Sequence, residues 1–235
     1  MKSEQTQETN ASLNGLYSQA VSRSVYALPF YMAVPVLYGL VFHAVGQPIR
    51  WGAFGIGALG WLAALILRGP VGALGMRLTT RNKAQTMLVA SSGPLEEGVR
   101  WGLLTLTGAS FSQALSLGQG WAAVEVLFTL INGIVLISLA GRTDEKAMQA
   151  KEMLRTQGHL TASPLWGLAE RVSASAYHIG ATLVIAKLPW TVLLLIPFHS
   201  LFNIVSVQWQ KKSLILTEGF VAAIGAAVLA AGLIL

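Results

Sequence analysis

The sequence contains no cysteine, which excludes both a disulfide framework and a thiolate metal site. Charge is scarce too. Only 11% of the 235 residues are Asp, Glu, Lys or Arg, against roughly a quarter in a soluble domain. So few charges leave too little polar surface to cover a globule in water, whereas a bilayer solvates an apolar exterior. What replaces them is hydrophobic: 54% of the chain, with a mean hydropathy of +0.59. The apolar stretches hold no Asp and show no Ser-His-Asp arrangement, so a nucleophilic triad has no obvious member. No short apolar core with a cleavage site precedes Val25, so no signal peptide is expected, and no internal repeat is evident. The formal charge of +6 is spread in short basic clusters between apolar runs rather than in one patch. That is the pattern of loops facing an anionic membrane surface, with lipid and not nucleic acid as the neighbour.

Crossing a hydrocarbon core of roughly 30 Å takes about 20 helical residues. Seven runs qualify, at 25–45, 52–76, 84–106, 111–139, 165–186, 190–207 and 213–235. The expected fold is therefore all-α: a polytopic bundle of about seven transmembrane helices, with a buried polar cavity. Residues 1–22 read as a polar, poorly ordered cytoplasmic tail and 23–235 as one transmembrane domain. Pro29 and Pro35 are expected to bend the first helix, and Pro70 to kink or end the second. The segment 140–164 carries Asp144, Glu145 and Glu152 among its bases and suits a short surface helix. The last run reads as apolar and small residues such as Gly219, Ala222, Ala226 and Gly232, fit for close packing and without chemistry.

Orientation follows from the loops. Lys2, Arg23, Arg68, Arg77, Arg81, Lys83, Arg142, Lys146, Lys151, Arg155, Lys211 and Lys212 fall on one side, and only Arg50 and Lys187 on the other. Positive charge stays inside, so the amino terminus is expected in the cytoplasm of a cell-membrane protein. Tryptophans 51, 61, 101, 166, 190 and 209 fall mostly near the expected interfaces.

Some polar groups do not belong in lipid: Glu96, Glu97, Arg100, Glu125, Glu170, Arg171, His178, His199 and Asn203. A charge at mid-membrane costs at least about 2.5–3.5 kcal/mol, so such residues usually face an interior and carry function. Glu96 and Glu97, Glu125, His178 and His199 lie at similar depth on four consecutive runs. Both glutamates can reach Arg100, at i,i+4 and i,i+3. Adjacent helical residues point about 100° apart, so one glutamate would pair with Arg100 and the other stay free. His199 and Asn203, four apart, share a face from which both can donate to one oxygen. Structural readings stand beside these. Glu97 with Arg100 can be an ion pair holding helices together, and either histidine can simply bond across to a neighbour. Glu125 fits a structural partner better than a catalyst. Glu170 and Arg171 lie near a helix end, where long side chains snorkel, and His43 and His159 read as solvated.

A desolvated Glu with a His suits activation of water, and a His with an Asn suits stabilisation of an oxyanion. A Glu, His, His set also suits zinc, although no His-Glu-x-x-His pair is present. No cofactor is implied, and zinc stays open.

Glu96-Glu97-x-x-Arg100, followed by His178 and by His199-x-x-x-Asn203, resembles the glutamic intramembrane protease superfamily, which includes the CAAX- and bacteriocin-processing enzymes and the PrsW proteases. Glu-Arg-Val-Ser-Ala-Ser-Ala-Tyr-His-Ile-Gly at 170–180 and Gly118-Gln-Gly120-Trp121-Ala-Ala-Val-Glu125 are similar to the YhfC family. The likeness covers about residues 25–208. It implies a membrane-embedded peptidase that cleaves a membrane or membrane-proximal peptide. Glu96 would be the base assisted by His178, Glu97 the partner of Arg100, and His199 with Asn203 the oxyanion site. One position departs: Trp121 stands where that family is expected to carry a histidine. It leaves open a non-catalytic scaffold or immunity-type protein. A transporter or proton relay ranks last, because no inverted repeat is evident.

Reporter fusions placed after Lys187 and at Leu235 are expected to read as external. A cytoplasmic signal from either overturns the orientation.

Overall fold

The computed structural model describes residues 2–108, 110–156 and 163–235, with backbone alone for 2–10, 153 and 156. His159 lies outside the described residues. All regular structure among them is helical: α1 (Lys2–Ala44), α2 (Trp51–Leu78), α3 (Arg81–Ala90), a π-helical turn (Gly93–Glu97), α4 (Gly98–Thr107), α5 (Phe111–Ser138), α6 (Glu145–Thr156), α7 (Pro164–Lys187), a 3₁₀ turn (Pro189–Thr191), α8 (Val192–Gln210) and α9 (Leu214–Ile234). Among the described residues five helical segments are long and apolar enough to cross a membrane: Ala11–Ala44, Trp51–Leu78, Phe111–Ser138, Pro189–Gln210 and Leu214–Ile234. The other two expected runs differ from these for separate reasons. α7 is long enough but carries Glu170, Arg171 and His178. The run 84–106 is not one α-helix but α3 and α4 joined through the π turn.

Pro94 lies in that turn. It has no N–H, so it cannot supply the helical bond to the Ala90 carbonyl. Ser200 Oγ on α8 donates to that carbonyl instead, at 2.6 Å. Gly93 makes the approach possible, since a Cβ there would stand 2.0 Å from the Ile196 carbonyl oxygen. The π turn is thus pressed against the backbone of α8, which sets where Glu96 and Glu97 point. By contrast, α2 runs through Pro70 to Leu78 without ending.

α2 and α5 meet backbone to backbone. A Cβ on Gly120 would stand 1.9 Å from the Phe54 carbonyl oxygen, and one on Gly57 1.9 Å from that of Leu117. The crossing buries Trp61, Ala64 and Trp121 together, so Trp61 is a core residue rather than an interfacial one.

The amino-terminal segment differs from the expected loose tail, being the first half of α1. Leu13, Tyr17 and Val21 recur every four residues and form a stripe that packs on Leu139, Met148 and Leu154. The expected surface helix is α6, capped by Asp144, whose carboxylate accepts from the Ala147 N–H. Buried Lys151 ties the two together, donating to Asn14 Oδ1 at 2.7 Å and to the carbonyls of Ala140 and Arg142.

Gly120→Leu is expected to force α2 and α5 apart, costing at least about 1–3 kcal/mol for overpacking. Thermal unfolding in detergent should show the loss. Gly55→Ala, on the same helix pair but facing open space, should leave the midpoint unchanged.

Candidate functional site

Glu97 sits at the centre of the polar cluster and is fully buried, as is Arg100. Its Oε2 accepts from Arg100 Nη1, one helical turn away. Its Oε1 accepts from His199 Nδ1 of α8 at 2.6 Å. One carboxylate therefore binds a guanidinium on its own helix and an imidazole on another. An isolated buried carboxylate would be prohibitive, and this pairing makes its burial possible.

Arg100 extends the cluster. Its Nη2 donates to His178 Nδ1 on α7 at 2.8 Å, and its Cζ lies 4.5 Å from the Trp121 ring centroid. Because a guanidinium only donates, His178 Nδ1 must accept, and neutral His178 carries its proton on Nε2. That nitrogen is 2.6 Å from Glu125 Oε2. Glu125 Oε1 also accepts from Arg171 at 2.6 Å, and Arg171 in turn pairs with Glu170. Arg171 is therefore not snorkelling: its side chain is 12% exposed and bound to two carboxylates.

Glu96 points the other way. Its Oε1 pairs with Arg68 of α2, and its Oε2 is buried with no hydrogen-bond partner among the described residues. The nearest imidazole nitrogen is His178 Nδ1, 3.9 Å away and already occupied by Arg100. Thus His178 does not bond to Glu96. Both of its nitrogens are held by other groups, which suits a fixed link better than a proton acceptor. Asn203 donates to Ser92 Oγ at 2.8 Å and does not join His199 on a shared partner. One of its two amide hydrogens remains for another acceptor.

A pocket of about 140 Å³ brings together Glu96, Glu125, His178, His199 and Asn203, with Arg68 and Tyr177 also in its wall. Glu97 and Arg100 stand behind it. Trp121 is fully buried yet does not line it, so the indole stacks on Arg100 without filling this space. Among the described residues no group of three or more His, Asp or Glu is arranged to hold a metal ion.

Three participants are not apparent from residue spacing. Arg68 reads as a loop charge, yet it lies ten residues inside α2 and binds Glu96. Its place within the apolar run was the available signal. Tyr177 presents its ring edge to His199 at 4.9 Å, with Phe198 and Phe202 stacked alongside. It reads as one more apolar aromatic. Glu218 is the third, 6% exposed in α9, so the last helix carries a buried ionisable group and not only apolar and small residues.

Arg100→Leu should leave Glu97 buried opposite a lost charge, at a cost of about 3–5 kcal/mol. Glu97→Gln combined with Arg100→Leu should recover part of that. Unfolding midpoints in mixed detergent check both, and equal losses in the single and double variants would contradict the ion pair as the source.

No protein-family model matches this chain, and no curated protein or solved structure matches it, so a functional assignment rests on these side chains.

Proposed function

We propose that this protein is an intramembrane peptidase of the glutamic, YhfC-like kind, hydrolysing a membrane or membrane-proximal peptide. The observation that carries the reading is Glu96 Oε2, a buried carboxylate oxygen on the wall of a polar pocket with no hydrogen-bond partner among the described residues. A carboxylate so placed is available to take a proton from water. In the reaction Glu96 removes that proton as the water oxygen bonds to the peptide carbonyl carbon. The negative charge on the carbonyl oxygen meets His199 and Asn203. With Nδ1 held by Glu97, His199 in its protonated form offers Nε2–H as one donor, and the spare Asn203 amide hydrogen is the second. The C–N bond then breaks, Glu96 returns its proton to the leaving amine, and a carboxylate remains. His178 positions Arg100 and Glu125 and does not move protons.

The bundle is read as seven crossings with a cytoplasmic amino terminus, counting α3, the π turn and α4 as one span and α7 as another. Eleven of the basic residues then remain on the inner side once Arg68 is moved into the membrane, still against Arg50 and Lys187.

One observation favours a non-catalytic scaffold instead. Arg68 pairs with Glu96, so one oxygen of the proposed base is already taken by a fixed charge. The two readings separate on the Glu96→Gln variant, which is expected to lose about 10²–10⁴-fold in cleavage while staying folded. Comparison of membrane peptides from cells with wild-type protein, Glu96→Gln and none should show products with wild type alone. Identical profiles for wild type and Glu96→Gln leave the scaffold reading.

A further inference from the structure

A second pocket, of about 230 Å³, adjoins the first, and Arg68, Glu170, Asn203, Ser206 and Val221 line both. It runs toward the end of the bundle where α8 finishes at Gln210 and α9 begins at Leu214. Glu218 lies in its wall. That residue is 6% exposed, and its Oε2 is buried with no hydrogen-bond partner among the described residues. The peptidase reading leaves it without a role.

The charges in the two linings do not balance. Glu96, Glu125, Glu170 and Glu218 share the two linings with two guanidinium groups, Arg68 and Arg171, while Glu97 stands behind them, bound by Arg100 and His199. Arg68 and Arg171 are taken by Glu96 and by Glu125 with Glu170. Glu218 alone has no cation. An unpaired carboxylate in so dry a place is costly, and a bound cation relieves that cost. The remaining lining mixes three valines, Val89, Val207 and Val221, with hydroxyl and amide side chains, as suits an alkyl stem with a charged tip.

We propose that Glu218 binds a basic side chain of the substrate peptide, so that a Lys or Arg on the α8–α9 loop side of the cut is a recognition element. The proposal rests on the peptidase reading for its substrate class. Glu218 is level with Ser206 and Val207, eight residues along α8 from His199, or about 12 Å of helix rise. An extended peptide advances about 3.3 Å per residue, so the basic residue lies about three to four positions from the scissile bond.

Full-length protein carrying Glu96→Gln, purified into phosphatidylcholine vesicles, is titrated with two fluorescent apolar peptides that differ only in one Lys or Gln near one end. The Lys peptide is expected to bind about 10-fold more tightly. Adding Glu218→Gln should bring the two dissociation constants together, and Glu218→Asp, which keeps the charge, should retain a preference. Equal affinities before Glu218 is changed, binding of neither peptide, or a preference that survives Glu218→Gln each overturn the proposal. Incubating both peptides with protein that retains Glu96 separates the two claims. Lys preference without cleavage keeps the cation site and removes the peptidase, while cleavage with equal affinities does the reverse.

Discussion

The buried Glu97 carboxylate is the interaction on which the rest of the site depends. It has no access to water, and its two oxygens are satisfied by groups from two directions, Arg100 one turn along and His199 from α8. Each partner then makes further demands. Arg100 must find an acceptor for its second nitrogen and a surface for its planar guanidinium, and it finds His178 and the Trp121 ring. His178 in turn sits against Glu125, which binds Arg171. Four helices and the π turn are thereby locked to one charge, because leaving any member buried and unpaired would cost several kcal/mol. Such a network holds helices at one rotation, which generic lipid-facing packing does not.

The interrupted segment from α3 to α4 is the backbone counterpart of that network. A continuous α-helix through Pro94 would leave the Ala90 carbonyl without a donor. The Ser200 hydroxyl satisfies it, and Gly93 admits the α8 backbone close enough to do so. The widened turn carries Glu96 and Glu97 on its last residues. Both are buried, one toward Arg68 and the other toward His199. π turns of this kind recur at functional sites, and here the same turn places one carboxylate in a closed pair and another beside an open pocket.

The surroundings sharpen the contrast between these two acids. Tyr177, Phe198 and Phe202 stack on one another beside His199, and Tyr177 and Phe202 line the pocket with it. On the other side the pocket lining is polar and leads toward the α8–α9 loop. A fully buried charge pair thus stands next to a second carboxylate that lines the pocket.

Composition alone determined that the chain belongs in a bilayer, because partitioning sums hydropathy over some 20 residues and needs no knowledge of neighbours. The same locality explains the positions of most helices and the i,i+3 pairing of Glu97 with Arg100, which share a helix turn. It also explains where the reading failed. Residues 2–22 look like a polar tail because the partner of the Leu13–Tyr17 stripe, α6, is more than a hundred residues away. Arg68, Tyr177 and Glu218 gained their significance only when α2, α7 and α9 closed around the π turn. Which guanidinium meets which carboxylate, and which oxygen is left without a partner, was decided by tertiary structure. Those outcomes depend on helix rotation and crossing distance, which backbone contacts at glycines such as Gly93 and Gly120 set, and no spacing along one helix encodes them.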